Sequence, residues 1–177
     1  MLTLDQIVRV SPKKRVADGV IQLRHGHFLY EIWYARSRVH RAEKPAFIVY
    51  DAHKKLVLEQ WYSHGRCHRI GGPAIVSHIS HCKIWVKKGK WHRRDGPANE
   101  SSVVTADGSR RPNYSWYLED QNVPDFSKIL LNPSLLAEYI TTLHTEKQIE
   151  LILKYLVRSK KHRAAIREAA AAAQTLV

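Results

Sequence analysis

The 177-residue chain predicts an α+β fold, an antiparallel β-hairpin repeat array (mostly β) followed by a C-terminal helical segment. Three observations lead there. A motif built on Trp, His-Arg and Pro-Ala recurs with fixed internal spacing. Runs rich in aromatic and β-branched residues lie between the copies, as strands require. After about residue 124 the apolar residues recur at helical rather than alternating spacing. The expected division is a repeat domain over 1–124, with repeats starting near 33, 61, 85 and 116, and a helical segment with a basic tail over 125–177.

The repeat is explicit. Trp33-Tyr34, Trp61-Tyr62 and Trp85-Val86 each precede a His-Arg pair that begins seven residues after the Trp, at His40, His68 and His92. Pro-Ala begins twelve residues after the Trp, at Pro45, Pro73 and Pro97. A fourth copy opens at Trp116-Tyr117-Leu118 and decays by Val123, and Arg15–Val20 reads as a degraded copy ahead of the first. The Trp-to-Trp spacings are 28, 24 and 31, so insertions fall between Pro-Ala and the next Trp. Each copy reads as a hairpin that turns near Ser63-His64-Gly65 or Lys87-Lys88-Gly89, where glycine accepts positive φ. Pro then breaks the ladder because it has no N–H to give. Hairpins that cannot bury an aromatic face alone are expected to stack into one twisted sheet.

The remaining elements follow in chain order. Ile7–Val10, Val20–Leu23 and Phe28–Ile32 read as strands, separated by Pro12-Lys13-Lys14 and Arg24-His25-Gly26. Phe47–Tyr50 and Ala74–Val76 read as inter-repeat strands, with turns at Asp51–Lys54 and Asp107-Gly108. Pro124–Leu131 suggests a brief helix, and Leu135, Leu136, Tyr139, Ile140 and Leu143 a second. Thr145 with Gln148 makes a capping-box pattern ahead of a stripe of Ile149, Ile152, Leu153, Leu156 and Val157.

The best copies end in His68-Arg69 with Gly72-Pro73-Ala74, and in His92-Arg93-Arg94-Asp95-Gly96-Pro97-Ala98. This W-Y-x-x-G-x-x-H-R-x-x-G-P-A pattern resembles the HR-x-D-G-P-A (MORN-like) β-hairpin repeats of bacteriophage and large-virus proteins. It covers about residues 30–124. The first copy departs from it, with Ser37 for the turn glycine and Glu43-Lys44 for Asp-Gly. The resemblance implies a hairpin array and a viral origin, and it carries no catalytic residues with it.

Charge is the strongest functional signal. The formal net charge is +13, and residues 36–95 alone carry a net +10, with aromatics interleaved. Such a concentration creates a field that attracts polyanions. No apolar stretch reaches membrane-spanning length, and Met1–Asp5 lacks a basic segment leading into an apolar run. Two cysteines make no disulfide framework, so a cytoplasmic setting is expected, that of the host cell for a viral protein.

His64, Cys67, His68, His78, His81 and Cys82 are zinc-type ligands within nineteen residues, yet no C-x-x-C pair or standard spacing organises them. No metal and no cofactor is therefore expected. His40, His68 and His92 recur in the three full copies, which points to hydrogen bonds within the repeat rather than acid–base catalysis. The arginines beside them are expected to pack over the tryptophans. Without a convergent constellation no enzymatic activity is expected. Trp91 stands where Val39 and Cys67 stand in the other copies, so it can face the core or stack on a base.

The reading that follows is a small basic accessory protein that binds nucleic acid, DNA or RNA, through phosphates. The candidate binding residues are Lys87, Lys88, Lys90, Trp91, Arg94, Arg158, Lys160, Lys161 and Arg163. The alternative is a protein-binding module that inhibits or redirects a host protein, an acidic one where the basic face is used; the net −4 of residues 96–146 slightly favours this alternative, since that segment can contact a basic partner or the chain's own basic face. A zinc-dependent or histidine-based nuclease is the third option.

Overall fold

A computed structural model describes Met1, Thr3, Gln6, residues 16–123, residues 146–155, Arg163, Ala164 and Arg167. The expected elements at Ile7–Val10, Pro124–Leu131 and Leu135–Leu143 lie outside these residues, as do Arg158, Lys160 and Lys161. The fold is α+β, mostly antiparallel strand, with a helix at Glu146–Tyr155 (α1). Two compact units divide the chain: residues 1–90 with 100–113, and residues 91–99 with 114–177.

The first unit is built on a meander. Its strands are β1 (Gly19–His25), β2 (Phe28–Ala35), β3 (Arg38–Val39), β4 (Phe47–Tyr50), β5 (Leu56–Gln60), β6 (Tyr62–Ser63), β7 (Arg66–Cys67), β8 (Ile75–Ser77) and β9 (Cys82–Ile84). The hydrogen-bonded order is β1-β2-β4-β5-β8-β9, with β3 beside β2. Register is fixed by burial. On β2 the buried residues are Tyr30, Ile32 and Tyr34, alternating with half-exposed ones, and Tyr30 pairs with Val49 while Ile32 pairs with Phe47. Tyr30, Ile32, Phe47, Val49, Val57 and Leu58 form the core, and Tyr30, Phe47 and Val49 are fully buried. Each such side chain contributes about 1.5–3 kcal/mol on burial. The Asp51 turn is locked by its own carboxylate, which accepts the His53 and Lys55 N–H groups at 2.9 and 2.8 Å.

One difference from the sequence reading is architectural. The hairpins do not all join a single sheet. The Trp-to-His hairpin of the second copy is a separate two-stranded ribbon, β6–β7, and the third copy repeats it with β10 (Val86–Lys87) and β11 (Lys90–Trp91). The main sheet is made instead by the strands between copies. The break lies at the Trp: Trp61 and Trp85 stand between strands, whereas β2 runs unbroken through Trp33, so the chain leaves the main ladder at the Trp in the second and third copies.

β12 (Asn99–Val104) and β13 (Arg110–Leu118) enclose the expected Asp107-Gly108 turn. The Asp107 carboxylate receives the Ser109 N–H at 2.9 Å and bonds the hydroxyls of Thr105 and Ser109. In the second unit, the end of β13 pairs with β14 (Gln121–Val123), Trp116 opposite Val123. Leu118 and Val123 are buried, as are Ile149, Leu151, Ile152 and Leu153 of α1. Gln148 of α1 donates to the Asn122 carbonyl at 2.8 Å.

Candidate nucleic-acid interface

The repeat positions acquire distinct jobs in the structure. Counting from each Trp, the third and fourth residues are the centre of the turn. Both have positive φ in all four copies: Arg36 and Ser37 (51° and 58°), His64 and Gly65 (50° and 82°), Lys88 and Gly89 (54° and 84°), Glu119 and Asp120 (50° and 69°). This is the geometry of a type I′ turn, whose twist matches that of a hairpin. A non-glycine residue there carries a steric cost of about 1–2 kcal/mol. Each such residue is held by a hydrogen bond from its own N–H to the preceding copy. His64 N–H reaches His40 Nδ1 at 3.4 Å, Lys88 N–H reaches His68 Nδ1 at 3.3 Å, and Glu119 N–H reaches His92 Nδ1 at 3.3 Å. Arg36 has no histidine before it and uses Asp18 Oδ1 at 2.6 Å. The following turn residue adds a backbone bond: Gly65 N–H to Val39 O and Gly89 N–H to Cys67 O, both 2.8 Å, and Asp120 N–H to Trp91 O at 3.0 Å. The repeat histidines are thus acceptors that staple one turn to the next.

The arginines complete the motif. Arg41 lies over the Trp33 ring at 3.8 Å and Arg69 over Trp61 at 3.9 Å. Each also donates to the Pro carbonyl four residues on: Arg41 to Pro45 at 3.4 Å, Arg69 to Pro73 at 3.1 Å, Arg93 to Pro97 at 3.1 Å. The Gly of Gly-Pro-Ala is now explained. A Cβ on Gly72 would sit 3.2 Å from the Arg69 guanidinium carbon, and one on Gly96 would sit 2.9 Å from that of Arg93. In the first copy Lys44 stands at this position, and there the Arg–Pro bond is the longest of the three.

The consequence for electrostatics is a row of cations in the first unit. The stapled turns bring Arg36, Ser37 and Arg38 beside His64, Gly65 and Arg66, and these beside Lys88, Gly89 and Lys90. A Cβ on Gly65 would touch the Arg38 side chain at 3.8 Å, so that side chain lies along the next turn. All nine residues are exposed and none is acidic. Lys88 and Lys90 were expected at the interface from sequence. Arg36, Arg38 and Arg66 were not, although their offsets of three and five from the Trp equal those of Lys88 and Lys90. The alignment of the copies held that signal.

Other expected residues have other surroundings. Lys87 is exposed on β10. Trp91, in the second unit, is half-buried; its ring meets Tyr117 edge-on at 4.9 Å, and its N–H bonds Asp120 at 2.7 Å. Arg94 donates twice, at 3.2 and 3.0 Å, to the carbonyl of Tyr155 in α1. Arg163 is a half-buried helical residue. The fourth turn reverses the charge: Glu119 bonds Lys154 at 3.3 Å and accepts the Tyr155 hydroxyl.

Two of the zinc-type residues have partners of their own. His68 Nδ1 serves the staple, and His78 pairs with Glu59 at 3.0 Å. Burial pushes the Cys67 thiol up to about 12 and raises that of Cys82. Among the described residues no three His, Cys, Asp or Glu side chains form a metal-holding group, and no helix is long and apolar enough to cross a membrane. No protein-family model, curated protein or solved structure matches the chain.

Proposed function

We propose that the chain binds nucleic acid through its phosphates, without catalysis, using the row of cations on the first three turns. The observation that carries this reading is that Arg36, Arg38, Arg66 and Lys88 are exposed on neighbouring turns whose own residues are all non-acidic, with Asp18 the carboxylate beside the first. A strand backbone presents charge in just such a line, and lysine and arginine read it without regard to sequence. Lys87 extends the row on its own strand. Trp91 and Arg94 contribute less, since one packs on Tyr117 and the other holds the end of α1. The resemblance to phage repeat proteins adds a biological setting, an accessory protein acting inside the host cell.

The test is an anisotropy titration of labelled duplex DNA and single-stranded RNA across a salt series. Five or six phosphate contacts give a log–log salt slope of about −4.5 to −5.5 on duplex. Changing Arg36, Arg38, Arg66 and Lys88 to Ala together flattens that slope by about three to four and weakens all sequences alike. Absence of binding at micromolar protein and about 100 mM salt refutes the proposal. The row then serves an acidic protein partner.

A further inference from the structure

Between the first and second copies lies a groove of about 560 Å³, within the range of small-ligand sites. It lies wholly within the first unit, and its lining includes His40, Arg41, Glu43, Trp61, His68 and Arg69. The hydrogen bonds already described fix the chemistry of this lining. Because His40 and His68 each accept a backbone N–H at Nδ1, the neutral rings carry their proton on Nε2 and are donors there. Arg41 and Arg69 are clamped flat against Trp33 and Trp61 and spend one N–H each on a proline carbonyl, so further N–H groups remain in a preorganised fork. Trp61, only 9% exposed, supplies an apolar wall. Against these donors Glu43 sets one carboxylate.

We infer that this groove is a binding site for a phosphate ester bearing hydroxyl groups, the sugar-phosphate unit, free or within a strand. Two fixed guanidinium groups and two imidazole N–H groups suit the phosphate oxygens. The Glu43 carboxylate repels a bare phosphate dianion but accepts from a sugar hydroxyl. The site is distinct from the row of turn cations, and it stands whether or not that row binds nucleic acid.

Ribose 5-phosphate is the first probe, read by the imidazole signals of His40 and His68 in nitrogen–proton NMR. Saturable shifts at both rings are expected, with weaker binding of inorganic phosphate. The double variant His40→Asn, His68→Asn keeps an acceptor near the Nδ1 position, as Asp18 does for Arg36, and removes the Nε2 donors. Read by calorimetry, it should bind ribose 5-phosphate at least about tenfold more weakly. Glu43→Gln, on an exposed side chain outside the staples, should abolish the preference for ribose 5-phosphate over phosphate. The fourfold turn variant should leave the titration unchanged. A short oligonucleotide that displaces ribose 5-phosphate assigns the unit to a strand, and one that does not assigns it to a free ligand; either supports the site. No saturable shift, equal binding by the double variant, equal affinity for phosphate and ribose 5-phosphate, or loss in the turn variant overturns it.

Discussion

Replacing Gly72 by Ala tests the central packing claim. The substitution introduces no backbone strain, because Gly72 does not have positive φ. The new Cβ would lie 3.2 Å from the Arg69 guanidinium carbon and 3.3 Å from one of its nitrogens, closer than ordinary contact. The guanidinium can move, so the cost is the value of what it leaves. It leaves the Trp61 ring at 3.9 Å, worth about 0.5–2 kcal/mol for a partly desolvated cation–π contact. It also leaves the Pro73 carbonyl at 3.1 Å, a charged hydrogen bond worth about 1.5–3 kcal/mol. Restricting the unfolded chain returns about 0.4–1 kcal/mol. The net loss is about 1–4.5 kcal/mol, measured as a shift in urea midpoint at constant m-value. The control is the same change in an Arg69→Ala background, where the Cβ meets no guanidinium and Gly72→Ala becomes neutral or slightly stabilising. An equal penalty in both backgrounds would refute the assignment of Gly72 to the arginine.

Two further outcomes are expected. Cys67 has a folded-state value near 12 against an ordinary 9.0, so its contribution is complete below pH 9 and is lost as the unfolded thiol ionises between about 9 and 12. Cys67→Val, which copies Val39 of the first repeat, should flatten that alkaline decline in urea titrations, and an unchanged slope would count against a buried thiol. Asp107 is lowered to about 2 from 3.8, first by the Thr105 hydroxyl and then by Ser109, so its contribution is present above about pH 4 and is lost as pH falls toward 2. A carbon-detected NMR titration of Asp107 should find its midpoint well below those of ordinary carboxylates, and Asp107→Asn should blunt the acid limb.

How much of this was legible in the sequence varies with the kind of feature. Period and class were, because Trp, His-Arg and Pro-Ala recur by count alone. The Arg-over-Trp contact was also readable from the repeat, whereas the histidine bond, expected within its own copy, goes to the turn of the next one. The separation of the short ribbons from the main sheet was not. It depends on a break in the strand at Trp61 and Trp85 that Trp33, the same residue at the same repeat position, does not share. For the candidate site, local charge density drew attention to Lys87, Lys88 and Lys90. Arg36, Arg38 and Arg66 lie far from them in sequence and join them only because each turn is stapled to the one before. Arg94 looked equally basic, and only the fold shows its guanidinium spent on the Tyr155 carbonyl.

The staple gives the repeat a direction. Every turn donates backward and every histidine accepts from the copy ahead, so no copy is self-sufficient and copies are not interchangeable end for end. Asp18 fits the first position because it offers an acceptor without needing a predecessor of its own kind. Seven residues after Trp116, where the histidine belongs, the chain has Val123, which has nothing to accept with and is instead buried. The number of copies is therefore written at the two ends, as a start residue and a stop residue, rather than in the copies themselves. A lengthened array would arise by duplicating an interior unit such as residues 61–84 while leaving Asp18 and Val123 in place, and an array with Val123 exchanged for His would have an open acceptor and no defined end.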